Sequence, residues 1–140
     1  MRELWSADAP NFSGRYVSFK DAYMRPKPVN RSVPIIIGGH TEAAARRAGR
    51  LGDGFFPGRG LPLDLIETVR RTAHEAGRDP AAVEITVGIP DDVAQLAEFA
   101  AAGVSRVLLP VTGVAGLARK VSGPEDLLAW REIIERHAAL

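Results

Sequence analysis

From Val33 onward, short apolar runs alternate with longer stretches of helical period, the signature of βα units and a parallel sheet. Four such units can be read. Pro34-Ile35-Ile36-Ile37 precedes a helix over about residues 42–50, with Ala44, Ala48 and Leu51 at i, i+4 and i+7 on its inner face. Gly54-Phe55-Phe56 precedes a helix over about 63–76, whose inner stripe is Leu65, Ile66, Val69 and Ala73, and whose outer side or margin holds Glu67, Arg70, Arg71 and His74. Gly77 ends it. Glu84-Ile85-Thr86-Val87 precedes a helix over about 91–102, opened by Asp91 and Asp92 and striped by Val93, Leu96, Ala97 and Ala100. Arg106-Val107-Leu108-Leu109 precedes a last helix over about 124–137, with Ser122 or Gly123 as cap, Pro124 in the first turn, and Leu127, Trp130 and Ile134 facing the core.

Residues 1–32 break this pattern. Pro10, Gly14, Pro26 and Pro28 interrupt them, and GRYVSF at 14–19 is the one convincing strand-like piece, so the segment reads as a connecting arm to an α/β region at 33–140. Strands this short and apolar suit a parallel sheet covered on both faces. Periodicity leaves two architectures open. One is four units of a (βα)8 barrel, which takes about 250 residues when complete; the other is an open doubly wound sheet.

Composition narrows the function classes. The 140 residues are 46% hydrophobic and 25% charged with a formal net charge of +1, which fits a soluble globular chain and excludes disorder as the default. Lys20, Lys27 and Lys120 are the only lysines among the 18 basic residues, and the arginines lie scattered on helical faces without interleaved aromatics, so nucleic acid is not the expected partner. The absence of cysteine removes disulfides, thiolate metal sites and cysteine nucleophiles. With neither an apolar stretch of signal-peptide length at the start nor a run of about 20 apolar residues later, a cytoplasmic protein without membrane partners is expected.

Two corners offer chemistry. Ile37-Gly38-Gly39-His40-Thr41-Glu42 ends one strand and opens a helix with Thr41 as its N-cap. Amides at a helix start lack intrahelical acceptors, and residues without Cβ let a ligand approach the main chain, so this corner suits a phosphate. The same glycines also serve a plain tight turn. His40 can donate to a phosphate or stand as a solvated turn residue. The second corner, Phe56-Pro57-Gly58-Arg59-Gly60, follows the next strand and opens at the same end of a parallel sheet, where a fixed positive charge sits between two glycines. It too can be read as a surface loop. Arg46, Arg47 and Arg50 fall mainly on an outer helical face, and His74 and His137 on solvated ones. No P-loop, HExxH, GxSxG or GxGxxG is present, and no acid–base pair of carboxylates stands out, so no catalytic residue and no metal site is assigned.

The stretch PKPVNRSVPIIIGGHTEAAARRAGRLGDGFFPGRG resembles the middle of the luciferase-like monooxygenase superfamily, especially its deazaflavin (coenzyme F420)-dependent oxidoreductases, through P-I-x-I-G-G, the Ala/Arg helix and G-D-G-[WF]. FSGRYVSFKDAYMRPKPV, AAAGVSRVLLP and GPEDLLAWREIIERHAAL resemble flanking and terminal parts of the same family, so the likeness spans nearly the whole chain. The resemblance implies a (βα)8 TIM barrel of which this chain holds strands five to eight, the C-terminal half. It also implies coenzyme F420 or FMN as cofactor, with its phosphate held at Gly38, Gly39, His40, Thr41, Gly58, Arg59 and Gly60, and hydride transfer as the chemistry. The family's first four units supply much of the ring-binding wall and the residues that handle substrate and protons. They have no counterpart before Met1, and a complete active site is not expected from this chain alone. It is then a piece that works with a complementary N-terminal half-barrel, a half that self-associates, a noncatalytic binding or assembly module, or an inactive remnant.

Overall fold

The computed structural model describes residues 1–58, 60–90, 92–108 and 122–138. They form two compact units, Met1–Pro34 and Ile35–Leu140.

In the first unit, helix α1 (Arg2–Ser6) precedes a two-stranded antiparallel hairpin, β1 (Phe12–Ser13) and β2 (Ser18–Phe19). The expected strand over 14–19 is corrected here. Gly14 N–H donates to Val17 O at 3.0 Å, which closes a turn inside that stretch and leaves only Ser18 and Phe19 extended. The rings of Phe12 and Phe19 stack across the hairpin at 5.7 Å. Lys27 Nζ donates to the carbonyls of Leu4 and Ala7 at 2.6 and 2.7 Å, satisfying oxygens at the end of α1 that have no helical donor. Arg31 pairs with Asp8 at 3.0 Å and, by hydrogen bond first and charge second, holds that carboxyl below its ordinary value.

The second unit carries a parallel sheet in the order β3 (Ile36–Gly38), β4 (Gly54–Phe56), β5 (Glu84–Gly88), β6 (Arg106–Leu108). Ile37 lies opposite Phe55, Phe55 opposite Ile85, and Val87 opposite Val107. These residues share one face and form its core with helices α2 (Glu42–Leu51) and α3 (Leu63–Glu75), where Phe55, Ile85, Val69 and Ala73 are fully enclosed. Asp53 fixes the start of this register. Its carboxylate accepts from Ile35 N–H at 2.8 Å, its own N–H donates to Ile35 O at 2.8 Å, and its carbonyl accepts from Glu84 N–H at 3.0 Å.

Helix α3 buries the expected stripe, to which Thr68 and Thr72 add, the Thr72 hydroxyl donating back to Thr68 O at 2.7 Å. Helix α2 is rotated from expectation. Ala44 and Ala48 are buried as predicted, but Leu51 is 59% exposed and Ala45 and Gly49 take the enclosed positions. Gly49 explains this phase: a Cβ there would stand 2.1 Å from Thr72 Oγ1 and 2.5 Å from Val69 O, so the bare backbone lets α2 press against α3. Arg78 then closes the end of α2 by donating to Gly49 O and, at 2.6 Å, to Gly52 O.

The third helix is shorter than predicted. A 3-10 turn at Val93–Gln95, capped by the Asp92 carboxylate on Ala94 N–H at 2.9 Å, leads into α4 (Leu96–Ala101). Phe99 is its buried residue, whereas Ala97 is exposed. Helix α5 (Pro124–His137) starts as expected from Gly123, with the Asp126 carboxylate accepting from the amides of Ser122 and Gly123 at 2.6 and 3.1 Å. Of its predicted core face, Trp130 is buried, but Leu127 and Ile134 are 47% and 52% exposed. The expectations placed on Asp91, Leu109 and the His137 side chain lie outside the described residues.

Candidate functional site

Strands β3 and β4 run parallel and side by side, so the turns that leave them open at the same end of the sheet. Two hydrogen bonds join those turns. Gly39 N–H donates to Phe56 O at 3.1 Å, and His40 Nδ1 lies 2.9 Å from Pro57 O. A carbonyl only accepts, so Nδ1 carries the proton and Nε2 is the nitrogen left over. Pro57 is among the largest fully buried side chains, which gives His40 a fixed partner. That partner is a backbone atom following a strand, and no side-chain pattern in the sequence announces it.

Thr41 caps α2: its hydroxyl oxygen accepts from Ala44 N–H at 3.3 Å, and its carbonyl accepts from Ala45 N–H at 3.0 Å. The amides of Glu42 and Ala43, in the first turn, have no acceptor within the helix. Glu42 places a carboxylate beside them. Arg46 binds it at 2.6 and 3.1 Å and, by hydrogen bond first and charge second, holds it below its ordinary value while offsetting its charge.

The glycines of the two corners differ in what the fold asks of them. Gly39 has φ +137°, and a Cβ there would stand 2.8 Å from that of Ala44, so the turn itself requires glycine. Gly58 and Gly60 have φ +81° and +51° and are exposed, and Arg59 between them lies outside the described residues. Gly38 is different. It is exposed in ordinary extended backbone, and an added Cβ would meet only Phe56 O, at 3.9 Å, so nothing in the fold around it excludes a side chain.

Gly38, Gly39, His40 and Thr41 therefore form one continuous corner, with Gly58 and Gly60 on the turn that His40 braces. Of the groups expected to point at a ligand, the Gly39 amide and His40 Nδ1 are already engaged within the protein. The first-turn amides of α2 and the open side of Gly38 are what the corner offers. A hollow of about 330 Å³ on α2 is lined by Ala43, Arg46, Arg47, Arg50 and Leu51. Among the described residues, no group of His, Asp and Glu could hold a metal ion, and no helix is long and apolar enough to cross a membrane.

The chain is similar to known proteins in sequence and in fold. The chain is 38% identical over 94 residues to the F420-dependent glucose-6-phosphate dehydrogenases of Gordonia bronchialis and Tsukamurella paurometabola, covering 64% of this chain. It spans 28% of the length of each of those relatives. Among solved structures, an F420-dependent secondary alcohol dehydrogenase in complex with an F420-acetone adduct superposes with a TM-score of 0.55 at 25% identity, over 99% of this chain and 41% of that one. The F420-dependent tetrahydromethanopterin reductase of Methanopyrus kandleri superposes with a TM-score of 0.55 at 19% identity, over 67% of this chain and 29% of its own, a likeness of fold. These neighbours are TIM-barrel enzymes, and the four βα units correspond to part of such a barrel. Residues 1–135 match the model of the luciferase-like monooxygenase family, and the chain belongs to that family.

Proposed function

We propose that this chain supplies the phosphate anchor for coenzyme F420 or FMN in a luciferase-like oxidoreductase, acting in the cytoplasm. The observation that carries this reading is the joined pair of corners: two neighbouring strands end in turns tied by Gly39 to Phe56 and His40 to Pro57, beside the start of a helix. The amides of Glu42 and Ala43 would receive the phosphate, Gly38 would let it come close to the main chain, and Arg59 would add charge. His40 would hold the second turn at a fixed distance from the first. When bound, the cofactor supplies the hydride carrier, and the protein's part is to place it. The family likeness supports F420 over other phosphate-bearing ligands, because the relatives named above are F420-dependent.

A second reading, a noncatalytic module that holds a phosphorylated ligand, is favoured by the lack of an evident acid–base pair in the sequence. Titration with coenzyme F420 and with FMN, followed by a redox assay, separates the two. Binding with turnover supports the enzyme, binding without turnover supports the module, and no binding rejects the anchor. Replacing Arg59 with alanine is expected to weaken either cofactor by about 1–3 kcal/mol. An unchanged affinity removes Arg59 from the site.

A further inference from the structure

Ala43, Arg46, Arg47, Arg50 and Leu51 fall at i, i+3, i+4, i+7 and i+8, so they line one side of α2 from its first turn to its last, and the hollow of about 330 Å³ lies along them. This side is opposite the buried Ala44, Ala45, Ala48 and Gly49 and looks to solvent. It carries more positive charge than its neighbours offset. The carboxylates that act on Arg46 are Glu42 and Glu75, and both are paired, Glu42 with Arg46 itself at 2.6 Å and Glu75 with Arg71 at 3.2 Å. Arg47 and Arg50 are exposed and form no ion pair among the described residues. Arg50 stands one turn from both Arg46 and Arg47, where like charges repel. It suits the negative end of the helix dipole, but Arg47, in the middle, gains nothing of that kind.

Ala43 joins this side to the anchor corner. Its amide is one of the two first-turn donors without an acceptor in the helix, and it also lines the hollow. An anion held at the start of α2 therefore has the hollow beginning beside it. We infer that Arg47 and Arg50 select coenzyme F420 over FMN by receiving the carboxylates of its tail along this hollow. The inference rests on the anchor reading, in which the phosphate of either cofactor is held alike. FMN ends at that phosphate. F420 continues from it through a lactyl unit into a chain of glutamates, each of which adds a carboxylate, so only F420 has negative charge to place beyond the corner. Guanidinium groups match carboxylates in charge and in planar geometry, and Ala43 and Leu51 offer apolar surface to the methylene groups between them.

The test titrates the whole chain calorimetrically with three ligands at low salt: FMN, F420 bearing a single glutamate, and F420 bearing a long glutamate tail. FMN reads the anchor alone, and the two forms of F420 differ only in the tail. Affinity should rise from the short tail to the long one, and that gain should shrink in high salt, as it does for exposed ion pairs. Arg47→Gln with Arg50→Gln removes both charges at exposed positions, and circular dichroism checks that the variant folds. It should weaken long-tailed F420 about fivefold and leave FMN unchanged. Arg47→Lys with Arg50→Lys should recover part of that loss, since the charge remains and the planar pairing does not. A chain that binds FMN but is indifferent to tail length, a Gln pair that weakens FMN and F420 alike, or a Gln pair without effect would each overturn the tail site and leave the anchor standing. If neither FMN nor F420 binds the parent chain, the anchor fails and the tail site falls with it.

Discussion

At the scale of single residues, the corner after β3 divides its labour between holding itself together and facing outward. Gly39 and His40 are committed inward, to Phe56 O and Pro57 O, whereas Gly38 is bare where the fold does not ask for it. Glycine that no turn or clash requires is consistent with a ligand approaching the main chain. His40 illustrates the limit of reading residues from sequence. Its position in a Gly-Gly-His-Thr turn marks it as a group that can meet a phosphate, but the atom it bonds is a carbonyl 17 residues away, and only the parallel register of β3 on β4 brings that carbonyl within 2.9 Å. A brace of this kind acts on a ligand through the loop it holds. Exchanging His40 for alanine is expected to leave the helix cap intact and to weaken F420 or FMN by about 0.5–1.5 kcal/mol, the net worth of one hydrogen bond. Isothermal titration reads the change, and an affinity equal to that of the parent would show that the two turns keep their spacing without it.

Elements were legible in proportion to the strength of their period. The helices α2 and α3 carry long apolar stripes, and their spans and most of their buried residues follow from spacing alone. The phase of α2 does not, because Leu51 looks like a core residue by hydropathy, whereas the helix is turned by a contact no hydropathy scale records: the backbone of Gly49 against Thr72. Helix α4 departs from its predicted stripe of Val93, Leu96, Ala97 and Ala100, because its one buried residue is the large Phe99 and Ala97 is exposed. The hairpin of the first unit is too short for alternation to register, with two residues in each strand. The close packing of α2 on α3 has a measurable consequence. Gly49→Ala adds a methyl group 2.1 Å from Thr72 Oγ1, and overpacking should lower stability by about 1–3 kcal/mol although alanine is the better helix former. Urea unfolding checks the sign. A more stable Gly49→Ala chain would mean that α2 can move off α3 at little cost.

At the scale of the whole molecule, the four-stranded sheet encloses a core face formed with α2 and α3 around Phe55 and Ile85, while the joined corners lie where β3 and β4 end. If those corners hold a phosphate-bearing cofactor, a ligand that binds only the folded chain adds its own increment of stability, about 2.7 kcal/mol at a hundredfold excess over the dissociation constant. Calorimetric scans with and without F420 at one chain concentration read that increment as a rise of the thermal midpoint. A midpoint that rises with cofactor supports the anchor, and one that stays in place at saturating F420 rejects it.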